Sequence, residues 1–512
     1  MASRNETAGF VLPAVLFVVV FYATAGTSLA TDDFVHLNNA LVGNWASDWL
    51  PKAYLSIPVL HYALAASYYA IGDHVWWYGV LKAVYLCFAL WGSARLFGIF
   101  HSPKVAWIGA AVFCLNPIHD GASLWLTGQY LILSAGCYFH AYASAHQGKL
   151  THAAAMAGLG SFSSYGSSPL AAGLALMFMM QRRWREAAAM ALPNAVYVAY
   201  YLVTSLVLKA GTQRIPGSFD PLGLAKSYAL QVASFIDAGL GPSAWLKLAL
   251  ALPALSWVSL LVAAIASWLM WRRLPATNRP HDRPLLAGAI VITLTAFGVF
   301  ALTGSYPQIA FNLGNRITIY GNILVAVVLM HVLPTRALAA VATVVLAAFI
   351  GIGDHWKAWG NDVAASVVRI KADTRLAGVP PRETLFVRGM QYSQLGPISH
   401  IDHLTSGYVI REVFALARPD QTPISTASFN RRLRFEGNSL VDVKYGDRWP
   451  VTASILLYDA QTGELIRIPA AQISGLLDAL PIELRHWTQL LGPGMLRDAI
   501  LWLIPNVRYA YA

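Results

Sequence analysis

Long apolar runs separated by short polar breaks dominate the chain. Runs over 9–30, 75–97, 105–117, 121–143, 152–162, 168–180, 187–209, 244–271, 285–303, 316–333 and 337–353 predict about eleven membrane-spanning helices. Several are shorter than the roughly 20 residues that cross a bilayer at 1.5 Å each. The pair 152–162 and 168–180, joined by a Ser- and Gly-rich stretch from Ser161 to Pro169, reads as a broken or re-entrant hairpin. A further stretch, 54–71, is apolar enough to span but carries Pro58, His61 and repeated Tyr. It reads as a helix lying in the outer interface, within one large first loop.

After residue 353 the pattern changes, dividing the chain into a membrane domain, 1–353, and a more polar region, 354–512. Thr384 to Arg388 and Ser454 to Tyr458 read as strands. A turn from Asp459 to Gly463 leads into Glu464 to Ile468 as a hairpin. The expected fold is therefore a multi-pass α-helical membrane protein with a C-terminal extracytoplasmic α/β domain. Residues 495–504 are apolar but too short to span, and read as packing on that domain or on the membrane surface. No internal repeat or low-complexity tract interrupts the pattern.

Composition agrees. The chain is 57% hydrophobic and 12% charged, with mean hydropathy +0.51. A soluble fold of 512 residues has too little core to hide that much apolar surface. The net charge of +11 matters through its placement. Arg95 and Lys104, Lys149, Arg182 with Arg183 and Arg185, Arg272 with Arg273, Arg279 and Arg283, and Arg336 fall in alternate loops. Lys and Arg collect on the cytoplasmic side, so the N-terminus is expected inside. The loops 31–74, 118–121, 210–243 and 304–315, and everything after 354, are then outside. If 54–71 spanned, every later basic loop would face outward. Scattered basic residues argue against nucleic acid. Cys87, Cys114 and Cys137 lie in apolar runs without metal or disulfide spacing. The first run reads as an uncleaved anchor, although Ala23 to Ala25 resembles a signal-peptide cleavage site. No phosphate-binding loop, dinucleotide fingerprint or zinc motif is present.

Asp32, Asp33 and His36 follow the first apolar run at once. If a helix starts near Thr31, that residue is placed to cap it, the acids suit its first turn and His36 lies on their side. That reading is a well-capped helix start. The other is a general base facing a cavity, since a carboxylate can take the proton of an attacking hydroxyl. The second acid would orient the first, bind the acceptor or hold a metal. Lys52 is the sole Lys or Arg between Arg4 and Lys82. It reads either as a contact to a lipid phosphate or as a snorkelling lysine. His119 and Asp120, in the turn from Asn116 to Gly121, are either solvated or a second acid for the same outer cavity. Arg316 enters a span through Tyr320, against the usual charge bias. Guanidinium pairs well with phosphate oxygens, including those of a departing phosphate, or with a lipid headgroup. Lys209 and Arg214 are weaker candidates of that kind.

This arrangement resembles the GT-C glycosyltransferases, multi-pass enzymes that take a sugar from a polyprenyl-phosphate or -diphosphate carrier. The resemblance rests on the acidic pair after the first span, then Asn44 and Trp45, Trp49 to Lys52, and Pro58 to Leu64, ending at Ile71 and Gly72. That run is similar to the first loop of the protein-mannosyltransferase and aminoarabinose-transferase branch. It covers about residues 20–100; the rest agrees only in span layout and the outer domain. The chain has Asp32, Asp33, Phe34, Val35 and His36 where many members have Asp-Glu and then Tyr, and it lacks a close Pro-Pro after Lys52. These departures bear on subfamily and sugar.

The resemblance implies inverting transfer, with Asp33 or Asp32 as base and the lipid phosphate leaving toward Arg316 or Lys52. Read from the residues themselves, His36, Lys52, His119, Asp120, Arg316 and Tyr320 are the candidates for binding substrate. It implies a lipid-linked sugar donor, a glycan, lipid or protein acceptor of the cell envelope, and a periplasmic site in a bacterial inner membrane. Some members use a divalent cation, Mg or Mn, which Asp32, Asp33 and Asp120 would hold; others need none. The outer domain is expected to bind acceptor. The alternatives are a lipid-linked glycan polymerase or ligase, a flippase or transporter, and a non-catalytic scaffold. A ligase needs Arg or His in a large later outer loop, and 210–243 offers only Arg214 and Lys226. A transporter needs mid-membrane ionisable residues and repeated halves.

Overall fold

A computed structural model of the chain describes residues 3–43, 56–207, 220–272, 274, 282–303, 307–380, 382–418, 424–444 and 446–503. Lys52, Asn44, Trp45, Trp49, Lys209 and Arg214 lie outside the described residues.

The N-terminal part is helical. α1 (Ser3–Thr24) leads to α2 (Asp32–Leu41), which begins with the acidic pair. α3 (Pro58–Ile71) starts on its proline, whose missing N–H costs nothing at a helix start. α4 (Val75–Phe97), α5 (Pro103–Cys114), the single turn α6 (Asp120–Ser123), α7 (Tyr130–His146), α8 (Leu150–Ser163), α9 (Ser168–Met180) and α10 (Trp184–Leu202) follow. Then come α11 (Pro221–Phe235), α12 (Pro242–Ala251), α13 (Trp257–Trp271), α14 (Arg283–Thr303), α15 (Ile319–Val332) and α16 (Thr335–Ala372).

Six of the described helical stretches are long and apolar enough to cross a membrane: Val75–Phe97, Trp184–Ser205, Pro221–Ala254, Arg283–Thr303, Leu313–Val332 and Thr335–Ala372. Shorter apolar helices, Phe10–Thr24, Ser168–Met180 and Trp257–Trp271, accompany them. Length and composition thus support six spans rather than establishing about eleven. Phe10, Trp184, Leu192, Trp257 and Leu261 are exposed along this bundle. Such an apolar belt needs lipid against it.

The structure changes three expected boundaries. The run 244–271 is two helices, because Ser256 caps a new start by accepting Ser259 N–H at 3.2 Å. α16 does not end with its apolar half near residue 353 but runs unbroken through 38 residues, its helical period outlasting its hydropathy. The 316–333 run opens as a 3-10 turn over Leu313–Thr318 before α15 begins. As for 54–71, its described part, α3, has 14 residues and packs on α2, α4 and α8.

The C-terminal region contains β1 (Thr384–Arg388), β2 (Tyr392–Leu395), β3 (Ile398–Asp402), α17 (Gly407–Ala417), β4 (Ser425–Ser428), β5 (Leu433–Glu436), β6 (Ser439–Asp442), β7 (Arg448–Pro450), β8 (Ser454–Asp459), β9 (Glu464–Pro469), α18 (Ala470–Ala479) and α19 (Met495–Leu503). The main sheet has the order β4-β1-β8-β9. β1 runs parallel to β4 and β8, and the expected β8/β9 hairpin pairs antiparallel. Asp459 nucleates its turn by accepting the N–H groups of Gln461 and Thr462, and Gly463 supplies the φ of 77°. The strand period of two divides the sheet between two cores. Leu385, Val387, Leu456 and Tyr458 join the large core shared with the helical bundle. Phe386, Ala427, Ile455, Leu457 and Ile468 form a second core with Phe429 and Leu440. α17 lies between the sheet and the bundle and packs on α2, with Asn38 Nδ2 donating to Glu412 Oε2 at 2.5 Å. The C-terminal region therefore rests on the helix that carries the acids.

Candidate active site

The acid pair divides at the first turn of α2. Thr31 stands before the helix with a φ of 41°, and its side chain makes no capping bond. Asp33 closes the turn instead. Its Oδ2 accepts Ala30 N–H at 2.9 Å, and its Oδ1 accepts the Tyr68 hydroxyl at 2.9 Å, the Thr127 N–H at 3.1 Å and the Thr127 hydroxyl at 2.5 Å. The side chain is fully buried. Burial pushes its carboxyl up, and the Lys82 charge with the Thr127, Ala30 and Tyr68 bonds opposes without prevailing. Asp32 is partly exposed, and its Oδ1 accepts the Tyr408 hydroxyl of α17 at 2.9 Å. Both acids lie in α2, where adjacent residues point about 100° apart around the axis, so they face different surroundings.

The segment after α6 links these acids to Arg316. Trp125 Nε1 donates to Ala30 O at 3.2 Å, the carbonyl of the residue whose N–H Asp33 accepts. The same indole lies under the Arg316 guanidinium, 4.9 Å from Cζ to ring centroid. Arg316 Nη1 donates to Leu313 O at 3.0 Å, and the guanidinium also meets the Tyr130 hydroxyl. Tyr130 in turn bonds Tyr165 at 2.6 Å. Asp32 and Arg316 are both partly exposed at this end of the bundle.

Asp120 belongs to a separate buried knot. Its Oδ1 accepts Lys247 Nζ at 2.6 Å and Asn315 Nδ2 at 2.5 Å; its Oδ2 accepts His400 Nε2 at 2.9 Å and Trp356 Nε1 at 2.7 Å. Burial alone would raise this carboxyl, but Lys247 and His400 outweigh it and hold it well below the usual carboxylate range. With four donors and no exposed surface, Asp120 in this arrangement is closed to substrate. His119 is buried beside it and bonds Asn322 at 2.8 Å through Nδ1. Tyr320 is buried in the bundle against Phe300. His36 is buried with its ring stacked 5.6 Å from Tyr68 and 6.2 Å from His61. Burial, with His61, lowers its ring to about 4. Of the sequence candidates within the described residues, the structure brings Asp32 and Arg316 to the site and packs His36, His119, Asp120 and Tyr320 into the protein.

The carboxylates suggested for a cation do not meet. Asp33 and Asp120 spend their oxygens on protein donors, and among the described residues no group of three or more His, Cys, Asp or Glu could hold a metal ion.

Sequence reasoning missed Trp125, Thr127, Tyr68, Lys247 and the C-terminal pair His400 and Asp402. Two signals were available. Trp125 to Gln129 is a polar break inside the run 121–143, and Lys247 is a lone cation in an apolar run.

No family model matches the sequence, and no curated protein matches it. Among solved structures, the chain is similar to the crystal structure of ArnT from Cupriavidus metallidurans in the apo state. The likeness covers 83% of this chain and 86% of that one at 14% identity, with a TM-score of 0.40. A likeness at that level assigns no activity.

Proposed function

We propose that the chain is a membrane glycosyltransferase of the GT-C type. It would move a sugar from a polyprenyl-phosphate carrier to an envelope glycan, lipid or protein on the periplasmic face of a bacterial inner membrane. The observation that carries the reading is the Trp125 bridge. One indole bonds the acid turn through Ala30 and supports Arg316 on its face. A base and a phosphate-binding cation therefore share one rigid platform at the end of an apolar bundle.

Of the two acids, Asp32 fits the base, because it is partly exposed and only Tyr408 is seen bonded to it among the described residues. Its carboxylate takes the proton of the acceptor hydroxyl. That oxygen attacks the anomeric carbon, and the bond from this carbon to the carrier phosphate breaks with inversion. The departing phosphate gains its negative charge beside Arg316, where a guanidinium stabilises it in a poorly solvated site. Asp33 positions the turn and does not touch substrate.

The test is transfer from a panel of radiolabelled polyprenyl-phosphate sugars to envelope extracts, comparing wild type with Asp32→Asn. A positioned base contributes about 10²- to 10⁴-fold, so the folded variant should lose that much in kcat. Equal transfer by both would remove Asp32 as base. No transfer by wild type with any donor, in protein that binds polyprenyl phosphate, would favour a flippase or ligase.

A further inference from the structure

Asp402 ends β3 opposite Tyr392 of β2. The strand end is fixed over the acid turn. His403 N–H bonds Gln391 O at 2.9 Å, and the His403 ring packs 5.2 Å from Phe34 of α2. The charges reaching Asp402 come from three separate segments. Asp32 belongs to α2, Arg316 to the turn before α15, and Arg485 to the segment after α18. Tyr392 faces it from β2. Arg485 is engaged elsewhere, with Nη2 donating to Glu483 at 2.5 Å and to the Tyr392 hydroxyl at 2.8 Å. Among the described residues Asp402 Oδ1 is buried and has no hydrogen-bond partner. Buried acceptors are almost always paired, and an exception calls for an explanation. The three charges around this oxygen include both groups that the proposed transfer needs.

We infer that Asp402 is the C-terminal domain's own contribution to the transfer site, a carboxylate that accepts hydrogen bonds from saccharide hydroxyls beside Asp32 and Arg316. The inference rests on the proposed function. A hydroxyl brings the missing donor and keeps its own oxygen for other contacts. It also explains why the C-terminal region is docked on α2: without β3, the site would lack one wall and its second acid.

Protonation supports the same role. Burial pushes the Asp402 carboxyl up and its own backbone N–H opposes; the Asp32 charge adds to the rise, and Arg485 and Arg316 help hold it to about 6. Above that pH it is an acceptor. Below it the oxygen carries a proton, and saccharide binding should weaken.

The experiment measures donor and acceptor KM and kcat from pH 5 to 8 for wild type and Asp402→Asn. In wild type, KM for one of the two saccharides should rise as the pH falls through about 6; which one rises tells whether donor or acceptor is bound. Asp402→Asn should raise that KM about tenfold at pH 7.5, one lost charge-assisted bond. It should leave kcat within about threefold and remove the acid limb. A purely structural role would lower the thermal midpoint and leave the limb in place, and that result overturns the inference. A flat wild-type KM across the range overturns it without any variant. If Asp32→Asn abolishes transfer while Asp402→Asn changes nothing, this inference fails and the proposed function stands. If wild type transfers from no donor, both fall.

Discussion

Lys247 Nζ lies 2.6 Å from Asp120 Oδ1, and neither side chain has any exposed surface. The pair joins residues 127 apart, and His400, Trp356 and Asn315 complete it. It ties the turn before α7 to α12, α16, the Arg316 turn and β3. Charges taken from water must be repaid by geometry, and four donors on one carboxylate do so. Removing one partner strands the other. Asp120→Ala and Lys247→Met should each destabilise by about 3–5 kcal/mol. The double variant should cost clearly less than their sum. Thermal unfolding in detergent measures all three, and an additive cycle would deny the coupling.

Gly121 transmits that knot to the site. A Cβ there would meet Asn315 Oδ1 at 2.6 Å and Leu313 O at 2.9 Å; the first is held by the Gly121 N–H and, through Nδ2, by Asp120, and the second is backbone. Leu313 O accepts Arg316 Nη1 at 3.0 Å, and Asn315 is the residue next to Arg316 in the same turn. Gly121→Ala should therefore shift the turn, costing about 1–3 kcal/mol by overpacking, and weaken polyprenyl-phosphate binding. Wild-type binding in a folded variant would detach this turn from the proposed phosphate site.

Much of this fold was legible because its signals are local. The β8/β9 hairpin follows from an Asp-to-Gly turn between apolar strands, and the acid turn follows from its place behind an apolar run. The choice between acids was not legible. Adjacent helical residues differ by about 100° around the axis, so the partners that bury Asp33 had to come from Tyr68 and Thr127. The partner of Asp120 was hidden for the same reason. Lys247 reads as one cation in an apolar run until the fold sets it against a carboxylate. α16 misled because hydropathy marks where lipid ends, not where a helix ends.

Acid should loosen the seat of the C-terminal region. Burial lowers the His403 ring to about 3 and, with His61, the His36 ring to about 4, from 6.5. The unfolded rings bind a proton as the pH falls through 6.5, whereas the folded ones do not until about 3 and 4. The unfolded state thus holds more protons in that window, so this stability is full above 6.5 and is lost as the pH falls. The slope is about 1.4 kcal/mol per pH unit for each ring. Asp402, raised to about 6, works the other way and partly offsets it. The contribution of one ring is read by difference. His403 packs on Phe34 and Trp359, so His403→Phe keeps an aromatic contact, and its midpoint should fall less between pH 6.5 and 4.5. Parallel curves for variant and wild type would contradict the assignment.

The two acids can be separated by stability as well as by rate. Both oxygens of Asp33 accept, Oδ2 from Ala30 and Oδ1 from Tyr68 and Thr127. An Asn amide has only one acceptor oxygen. In Asp33→Asn the NH2 must face Ala30 N–H or the Thr127 and Tyr68 donors, setting donor against donor in a buried turn. That variant should lose about 1–3 kcal/mol together with activity. Among the described residues Asp32 accepts only from Tyr408, at the partly exposed edge of the site. Asp32→Asn can keep that bond through its remaining oxygen and should unfold at the wild-type temperature while losing transfer. Unfolding midpoints beside single-turnover rates distinguish a base from a support. If Asp33→Asn were as stable as wild type and Asp32→Asn fully active, the two roles would have to be exchanged.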